Sequence, residues 1–281
     1  MAKGVSLHIG LNRVDPGHYA GWDGALVACE SDAKAMKRLA AARGFKTTML
    51  LTRQAKAAAV TRTIAEAAAR LGAGDTFFLT YSGHGGQVPD SNGDEKDDQD
   101  ETRVLYDREL VDDELYTLWA KFKQGVRILV LSDSCHSGTV TRLASYRTVT
   151  EGNVRGAPSY TKDRPARFRR MPLEIEGQVN KRHRKLYEEI QKSHMGSEHQ
   201  AVGASVLLIS GCQDNQLSAD GDENGLFTAS LLEVWKGGKF KGGYRKFREE
   251  IVNRMPPWQS PNLYRVGARD LRFERQTPFT V

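Results

Sequence analysis

Continuous apolar runs alternate with segments of helical periodicity along most of this chain. The runs VSLHIGLN, DTFFLTYSG, VRILVLSDS and SVLLISGC predict strands, and the shorter run TTMLL predicts one more. Apolar residues recur at helical spacing in ALVACESDAKAMKRLAAARG and TRTIAEAAARLGAG, and later in LFTASLLEVW and YRKFREEIVNRM. Strands that alternate with helices are typical of a parallel sheet with crossover helices, and uninterrupted apolar strands are typical of a sheet covered on both faces. The pattern therefore predicts an α/β fold.

Two polar segments interrupt this alternation. The first, VPDSNGDEKDDQDE, is acidic, and we expect it to form a surface loop. The second, about residues 142–200, carries 13 Lys or Arg against 7 Asp or Glu, which accounts for the whole net charge of +6. It lacks interleaved aromatic residues and a recognised nucleic-acid motif, so we interpret it as a basic, mobile or solvated insertion, with a nucleic-acid-binding arm as the alternative. Its part NKRHRKLYEEIQKSH is compatible with a helix.

Length and composition are those of an ordinary globular protein. The 281 residues, 39% of them hydrophobic, can bury the core of a single domain over residues 1–281. No run approaches the roughly 18 apolar residues of a membrane span, and the start MAKGVSLHIGLN lacks the features of a secretory signal. We therefore expect a cytoplasmic protein without membrane contact. The cysteines Cys29, Cys135 and Cys212 have neither disulfide nor zinc spacing, and we expect free thiols.

Two predicted strands end in residues suited to nucleophilic catalysis. One runs into FFLTYSGHGG and delivers His84 between glycines, and the other runs into LVLSDSCHSG and delivers Cys135. Ligands of open parallel sheets bind beyond the carboxyl ends of the strands. If the two strands are neighbours, the imidazole and the thiol form a dyad, and the backbone N–H groups of Gly85 and Cys135 are candidates for an oxyanion hole.

Each of these residues also has a structural interpretation. A lone cysteine after a strand is commonly a small buried hydrophobe, and a lone histidine commonly only completes hydrogen bonds. The pairing of both residues, each in a turn of glycine and serine at a strand end, favours catalysis. His136 is a rival base, but it adjoins the thiol in the sequence, and we expect it to point away from Cys135.

The segment YSGHGGQ, followed some 50 residues later by DSCHSG, resembles the caspase superfamily and more closely its metacaspase branch, which includes the bacterial orthocaspases. The resemblance extends to LHIGLN, CESDA, DETRVLYD with VDDEL, SGCQDNQLSAD, GLFTASLLE and SPNLYRV, and it fails in the basic insertion. It implies a caspase-like three-layer sandwich, with a mostly parallel six-stranded sheet and helices on both faces. It also implies a cysteine endopeptidase in which Cys135 attacks the scissile carbonyl and His84 manages the proton.

Metacaspases cut after Arg or Lys, and the resemblance implies an acidic pocket for that side chain. The matching pocket positions are Cys29, Asp32, Ser82 and Asp133. Asp133 precedes the nucleophile by two residues, so its side chain should emerge on the same side of an extended segment as that of Cys135. Two carboxylates at the floor of a slot would pair with a guanidinium, and bidentate geometry favours Arg over Lys.

The acidic loop suggests a calcium site. EF-hand spacing fails, because Glu95 occupies the position that requires glycine. The resemblance implies a different site, with ligands among Asp97, Asp98, Asp100, Asp112 and Asp113. One further aspartate of the family is missing, since the corresponding region reads GTVTRLAS. A merely solvated acidic loop is therefore the alternative to calcium binding.

The basic insertion suggests a means of regulation. An enzyme that cuts after Arg or Lys would here carry, soon after its nucleophile, Arg147, Arg155, Arg164, Arg167, Arg169, Arg170, Lys181, Arg182, Arg184 and Lys185. We hypothesise that this segment covers the acidic cleft and is cleaved to activate the enzyme, by itself or by an upstream protease. The alternative is an inert linker.

The sequence also leads to expectations about substrates, oligomeric state and the residues near the cleft. We expect protein or peptide substrates with Arg or Lys before the cut, and a monomer. Cys212 is interpreted as packing near the cleft, and the resemblance implies that Asp214, Gln216 and Ser218 support it. Two other functions stay open: a non-catalytic scaffold for basic peptides, and nucleic-acid binding through the insertion.

Overall fold

The computed structural model describes residues 2–91, 98–135, 167–194, 196, 201–213 and 216–281. Its strands are β1 (Gly4–Gly10), β2 (Lys46–Leu51), β3 (Thr76–Ser82), β4 (Gly85–Pro89), β5 (Gln99–Val104), β6 (Glu109–Val111), β7 (Arg127–Asp133), β8 (Ser205–Ser210) and β9 (Asn262–Gly267). Six of them form one sheet in the order β2-β1-β3-β7-β8-β9, and β4, β5 and β6 form a second sheet in that order.

The large sheet is parallel except at one edge. Every neighbouring pair from β2 to β8 runs parallel, and β9 pairs with β8 in the antiparallel direction. The predicted α/β fold with a mostly parallel six-stranded sheet is confirmed. The hydrophobic pattern did not predict strand β9. No residue of Asn262–Gly267 is fully buried, so the segment lacks the continuous apolar run of a strand covered on both faces.

Helices cover both faces of this sheet. Their bounds are α1 (Cys29–Ala42), α2 (Ala57–Arg70), α3 (Asp112–Ala120), α4 (Leu173–His194), α5 (Leu226–Trp235), α6 (Tyr244–Val252) and α7 (Leu271–Arg275). One buried apolar cluster joins the sheet to α2 and α3, and another joins it to α1, α5, α6 and α7. Within the described residues, no helix is both long and apolar enough to cross a lipid bilayer.

The small sheet was not predicted. Its strands pair in the antiparallel direction, with Gly86 opposite Thr102 and Thr102 opposite Val111. Strand β4 begins with two glycines and β5 reads QDETRV, so neither has the alternation of a half-buried strand. What stabilises them is tertiary: a third apolar cluster packs the small sheet against α4 and the loop that follows β1.

Part of the basic segment is docked on the domain rather than solvated. Residues 167–171 enter the cleft, and helix α4 follows them, with a break in helical geometry at His183 (φ −110°, ψ 19°). Met171, Val179 and Tyr187 belong to the third apolar cluster. The hydrophobic pattern did not predict this apolar packing of α4, because only a few residues of the segment are apolar. Residues 142–166 lie outside the described part of the chain.

Candidate active site

His84 and Cys135 follow the ends of neighbouring strands. Ser82, the last residue of β3, pairs in register with Asp133, the last residue of β7. Both strands are parallel, so their carboxyl ends and the residues beyond them reach the same edge of the sheet. The condition set in the sequence analysis, that these two strands are neighbours, is thereby met. His136, the rival base, lies outside the described residues.

A glycine carbonyl holds the His84 ring in one tautomer. His84 Nε2 lies 3.1 Å from the carbonyl oxygen of Gly24, which can only accept a hydrogen bond, so Nε2 carries the proton and Nδ1 does not. Gly24 has a left-handed backbone (φ +59°), and the Trp22 ring packs 4.7 Å from the imidazole. In the described part of the chain, Nδ1 is buried without a hydrogen-bond partner. It is therefore the nitrogen that is available for proton transfer.

Burial also keeps His84 neutral. It lowers the pKa of His84 to about 4, and the neighbouring backbone of Gly24 and Arg170 acts in the opposite direction. Since the ordinary value is about 6.5, the ring is unprotonated at neutral pH. A neutral imidazole with a free Nδ1 can accept a proton from a thiol.

Two backbone N–H groups converge on one carbonyl oxygen. The N–H groups of Gly85 and Cys135 both donate to the Arg169 carbonyl oxygen, each at 3.0 Å. This is the donor distance expected of an oxyanion hole. The Cys135 thiol is buried and accepts a hydrogen bond from the backbone N–H of Ser218. The structure thus brings Gly85 and Cys135 together as the sequence analysis expected, on an oxygen that belongs to the chain itself.

The carboxylates of the expected pocket point at one guanidinium. Arg169 has no exposed side-chain surface, and its Nη2 lies 2.7 Å from Asp32 Oδ2 while its Nη1 lies 2.7 Å from Asp133 Oδ2. Nη1 also donates to the Ser82 hydroxyl at 2.8 Å. Asp32 and Ser82 are joined in turn, because the Ser82 hydroxyl donates to Asp32 at 2.7 Å. Cys29, the fourth expected position, is fully buried nearby.

A third carboxylate, which the sequence analysis did not assign, completes the pocket. Asp220 Oδ1 lies 2.9 Å from Arg169 Nη2. The Asp220 carboxylate also accepts hydrogen bonds from the backbone N–H groups of Val27 (2.7 Å) and Ala28 (3.2 Å), just before α1. Its position in SGCQDNQLSAD could have drawn attention to it, but no spacing rule connects it with Asp32 and Asp133.

Charge interactions outweigh the cost of burying Arg169. Burial alone would lower its pKa, but Asp133, Cys29, Asp32 and Asp220 hold that pKa well above the ordinary value. Burial raises the pKa of Asp32 to about 7, although the Arg169 guanidinium acts in the opposite direction. Burial likewise raises the pKa of the Cys29 thiol. The Arg169 guanidinium thus offsets the charge of carboxylates that are already desolvated.

Gly225 provides a flat wall for the guanidinium. A Cβ atom at this position would lie 2.4 Å from Arg169 Nη2 and 2.6 Å from Cζ, closer than real atoms approach. The Gly225 backbone N–H donates to Asp32 Oδ1 at 3.0 Å, so the same residue also orients a pocket carboxylate. No sequence signal distinguished this glycine from the other glycines of the loop before α5.

Residues 167–171 cross the cleft in the manner of a bound peptide. The Arg169 N–H donates to the Ser218 carbonyl (3.0 Å), and the Asp220 N–H donates to the Arg167 carbonyl (2.9 Å). On the other side of Arg169, the Met171 N–H donates to the Gly85 carbonyl at 2.9 Å. An extended peptide held by backbone hydrogen bonds, with one side chain in a pocket, is how peptide-binding clefts recognise substrates.

The remaining cleft residues differ in their placement. Ser218 supports the cleft, since its hydroxyl donates to Asp133 Oδ1 at 2.5 Å. The Gln216 side-chain amide donates to the Pro257 carbonyl at 3.1 Å. Cys212 is buried, and its thiol donates to the Ser134 carbonyl at 3.3 Å, which matches the packing role expected of it. Asp214 lies outside the described residues, and the three cysteines are all free thiols.

The expected calcium ligands do not form a metal cage in the part of the chain that the structure describes. Among those residues, no group of three or more His, Cys, Asp or Glu has the geometry to hold a metal ion. Asp98 is exposed with a left-handed backbone (φ +58°), and the Gln191 amide donates to the buried Asp100. Asp112 and Asp113 begin α3. Asp97 lies outside the described residues.

Negative charge is nevertheless concentrated at this place. Burial and then the carboxylates of Glu101, Asp100 and Asp113 raise the pKa of Asp112 well above its ordinary value, and the nearby Arg103 acts in the opposite direction. Burial lowers the pKa of Arg103 itself. At Asp112, neighbouring carboxylates thus add to the effect of burial.

Comparison with protein families and curated proteins gives a consistent result. The model of the caspase domain matches residues 14–270. Metacaspase-1 of Saccharomyces cerevisiae is 35% identical over 184 residues, which cover 57% of this chain and 40% of that protein. Metacaspase-1 of Mycosarcoma maydis is 31% identical over 253 residues, which cover 81% of this chain and 60% of that protein. The chain thus spans 40% to 60% of the length of these relatives.

Two solved structures are similar to this one. A protein of Geobacter sulfurreducens is 51% identical, with a TM-score of 0.88 over 99% of both chains. Caspase-1 of Spodoptera frugiperda is 10% identical, with a TM-score of 0.52 over 95% of this chain and 86% of the insect protein. At that low identity the insect enzyme shows the fold alone, which is caspase-like.

Proposed function

Since this chain belongs to the caspase superfamily and to its metacaspase branch, we propose that it is a cysteine endopeptidase that cleaves peptide bonds after Arg. One observation carries the proposal: the Arg169 side chain occupies the acidic pocket while its carbonyl oxygen accepts hydrogen bonds from Gly85 and Cys135. An arginine in this position would present its own carboxyl-side peptide bond to the thiol. The match to the caspase family supports the cysteine peptidase chemistry, and the acidic pocket around Arg169 supports the preference for Arg.

The dyad residues would divide the reaction into two steps. His84 Nδ1 takes the proton of the Cys135 thiol, and the thiolate attacks the scissile carbonyl carbon. The Gly85 and Cys135 N–H groups stabilise the oxyanion, and His84 returns the proton to the leaving amine as the carbon–nitrogen bond breaks. Water then hydrolyses the thioester, which restores the thiol and releases the carboxylate product. The Gly24 carbonyl holds the ring in the required tautomer throughout.

The pocket favours Arg over Lys as the residue before the cut. Both terminal nitrogens of Arg169 are used, Nη1 by Asp133 and Ser82, and Nη2 by Asp32 and Asp220. A lysine ammonium is a single point of charge and cannot satisfy carboxylates on two sides of a planar group equally well. An acidic side chain would meet three carboxylates and be repelled. We therefore expect hydrolysis after Arg, weaker hydrolysis after Lys, and none after Asp.

The intact chain is proposed to be latent. Arg169 and its flanking backbone occupy the positions that a substrate requires, and the guanidinium is fully buried there. A substrate can bind only after residues 167–171 have left the cleft, because two arginines cannot share one pocket. This supports the hypothesis that cleavage in the basic segment activates the enzyme.

Paired fluorogenic peptides test the proposal directly. Peptides that end in Arg, Lys or Asp before the fluorophore are incubated with the parent chain and with Cys135→Ala, each before and after limited trypsin treatment that is stopped with a trypsin inhibitor before the peptide is added. We expect Arg hydrolysis by the parent chain that increases after trypsin treatment and is absent from Cys135→Ala. Cys212→Ala is the matched control, because it removes another buried thiol that lies outside the proposed machinery and should retain hydrolysis.

Each possible failure of this experiment has a meaning. Undiminished Arg hydrolysis by Cys135→Ala would show that another group is the nucleophile. Hydrolysis after Asp but not after Arg would contradict the assigned pocket. No hydrolysis of any peptide before or after trypsin treatment, with retained binding of Arg peptides, would identify a scaffold for basic peptides.

Calcium stimulation is a separate proposal, and no step above depends on it. It is supported by the raised pKa of Asp112 among neighbouring carboxylates, which a divalent cation would relieve. Adding calcium to the same peptide assay should raise the rate and the melting temperature, and Asp112→Asn should reduce both effects. An unchanged rate and melting temperature would leave the acidic loop as a solvated surface.

A further inference from the structure

A buried carboxyl group that none of the reaction steps above uses lies against the strand that carries an oxyanion donor. Glu109, the first residue of β6, has no exposed surface. We infer that Glu109 is a positioning residue, which as a neutral carboxylic acid holds β4 and its Gly85 N–H group in place, and that its ionisation in mildly alkaline solution loosens this strand. The effect on catalysis rests on the proposed peptidase function, whereas the neutral state of Glu109 is testable without any activity.

The contacts of Glu109 join β5, β4 and α4. The Thr102 hydroxyl on β5 donates to Glu109 Oε2, and the Glu109 N–H donates to the Tyr187 hydroxyl on α4 at 3.2 Å. The carboxyl group also packs against Gly86 of β4, because a Cβ atom at Gly86 would lie 2.7 Å from Glu109 Oε2 and 2.8 Å from Met171 Cε. A larger residue at position 86 would therefore displace the carboxyl group.

Gly86 directly follows a residue of the oxyanion hole. The N–H of Gly85 is one of the two oxyanion donors, and the Gly85 carbonyl accepts a hydrogen bond from the Met171 N–H at 2.9 Å. In the small sheet, Gly86 lies opposite Thr102, whose hydroxyl binds the carboxyl group. The position of the Gly85 N–H therefore depends on how Glu109 packs against Gly86.

The surroundings of the carboxyl group favour its neutral form. Glu109 forms no ion pair within the part of the chain that the structure describes, where Arg108 and Arg170 pair with other glutamates, Glu114 and Glu176. Among the same residues, Glu109 Oε1 is buried without a hydrogen-bond partner. An ionised group would thus bury a negative charge that neither a cation nor a second donor compensates. In agreement with this, burial raises the pKa of Glu109 to about 8.

The other titratable groups that face Glu109 keep their charge over the same pH range. Burial raises the pKa of three tyrosines well above the ordinary value, and these are Tyr19 of the loop after β1, Tyr81 of β3 and Tyr187 of α4. Burial lowers the pKa of His18, which lies 3.0 Å from the Tyr187 hydroxyl, to about 4. The Glu176 carboxylate is paired with Arg170 and adds to the raised pKa of Glu109. The change of charge here between about pH 5 and pH 9 is therefore that of Glu109.

Ionisation of Glu109 would act on the rate of the reaction rather than on substrate binding. A charged carboxylate needs water, so it would either move or admit solvent, and both changes displace Gly86 and with it the Gly85 N–H. Loss of one oxyanion donor lowers kcat by about 10²- to 10³-fold. The carboxylates of the Arg pocket belong to α1, β7 and the loop before α5, so KM for Arg peptides should change little.

Infrared difference spectra of the intact full chain test the neutral state directly. The spectrum of the parent minus that of Glu109→Gln should show the carbonyl band of a neutral carboxylic acid at about pH 7, and this band should disappear above about pH 9. Glu189→Gln is the matched control, because it makes the same change at an exposed position of α4 and should keep the band.

Chemical denaturation at several pH values gives a second test that needs no activity. The folded chain keeps the proton of Glu109 up to about pH 8, whereas the unfolded chain releases it near the ordinary value of 4.5. The stability that the neutral group contributes is therefore fully present below the lower value and is lost as the pH rises to the higher one. In this window, the unfolding equilibrium constant of the parent relative to that of Glu109→Gln should increase by up to about tenfold per pH unit.

Kinetics with Arg peptides test the positioning role, on chains treated with trypsin that is then inhibited. Between about pH 7.5 and pH 9.5, kcat of the parent relative to that of Glu109→Gln should fall at least about tenfold, with KM of both chains constant within about threefold. The titration of the dyad cancels in this ratio, because both chains carry the same His84 and Cys135. Thr102→Val removes a hydroxyl that lowers the pKa of Glu109, so it should move the fall in kcat to higher pH.

The results that would overturn the inference differ from a failure of the proposed function. A difference spectrum without the acid band, or a ratio of unfolding constants that is independent of pH, would show that Glu109 is ionised. Equal pH dependence of kcat in the parent and in Glu109→Gln would refute the positioning role.

If neither chain hydrolyses Arg peptides at any pH, the proposed function fails, and hydrogen exchange at Gly85 and Gly86 replaces kcat as the measure of positioning. Protection of these amides should then decrease above about pH 8 in the parent but not in Glu109→Gln, and equal protection would overturn the inference. Should Glu109→Gln not fold, the shift caused by Thr102→Val decides, and an unchanged pH profile in that variant counts against the inference.

Discussion

The strand that crosses the cleft and the helix that follows it are held to the domain by different interactions. Arg169 is bound by charge and by directed hydrogen bonds, with three carboxylates within 2.9 Å of its guanidinium. Helix α4 is held by apolar packing, through side chains such as Val179 and Tyr187. The bidentate contacts of the pocket suit an arginine side chain, whereas apolar packing tolerates several hydrophobic residue types. Arg169 is thus held by contacts that an incoming arginine could make as well, whereas α4 is held by packing within the domain.

Under the proposed function, the same comparison explains how one segment could block the cleft and still remain bound to the domain. Under the proposed function, a substrate arginine that replaced Arg169 would make the same polar contacts at the pocket, so their exchange would cost nothing. The apolar contacts of Met171 and of α4 would have no such competitor, because a substrate in the pocket makes no contacts that replace those of Met171 or Val179 in the third cluster. Three substitutions test whether the pocket contacts and the packing of α4 act independently.

Asp133→Asn should have the largest effect and should act on the cleft alone. Asp133 pairs with Arg169 Nη1 at 2.7 Å, and the Ser218 and Thr228 hydroxyls hold its carboxylate in place. Removing one charge from a buried pair costs about 2–5 kcal/mol, so kcat/KM for Arg peptides should fall about 30-fold or more. Asp112→Asn, assayed without calcium, is the matched control, since it makes the same change at the start of α3 and outside the cleft. An Asp133→Asn enzyme within threefold of the parent would mean that this carboxylate does not bind the substrate cation.

Gly225→Ala should have the next largest effect, through shape rather than charge. The new methyl group would lie 2.4 Å from the position of the guanidinium. Overpacking of this kind costs about 1–3 kcal/mol, which predicts a rise in KM for Arg peptides of about 5- to 100-fold. Gly177→Ala in α4 is the control, because a Cβ there meets nothing within 4 Å. Unchanged KM in Gly225→Ala would place the substrate side chain elsewhere.

Val179→Ala should have the smallest effect on catalysis and act on the helix. Val179 is fully buried in the third cluster, and its truncation should lower the free energy of unfolding by about 1–3 kcal/mol. Chemical denaturation measures this change, and the KM of the cut enzyme for Arg peptides should stay within about twofold because the pocket is untouched. Gln178→Ala, an exposed neighbour, should change neither quantity. A large rise in KM would show that helix and pocket are coupled.

Much of the large sheet was readable from the sequence because local patterns encode it. Apolar runs located β1, β3, β7 and β8, and helix α5 matches its predicted segment from Leu226 to Trp235 residue for residue. The small sheet was not readable, because β4 and β5 depend on α4 and on the loop after β1 for their burial. A local sequence pattern reflects the conformational preference of a segment by itself. Strands β4 and β5 are instead stabilised by segments that are distant in the sequence.

At the site, the sequence by itself determined the chemical groups and where the strands deliver them. His84 and Cys135 follow strand ends in glycine- and serine-rich turns, and the resemblance of their surroundings located Asp32 and Asp133. Tertiary structure alone decided which of the ten basic residues singled out in the insertion enters the pocket, that Asp220 joins the pocket, and that the Gly24 carbonyl holds the His84 ring. Those contacts join residues up to 193 positions apart in the sequence, as in the bond from the Val27 N–H to Asp220. No local pattern records such distances, because they result from the path of the whole chain around the sheet.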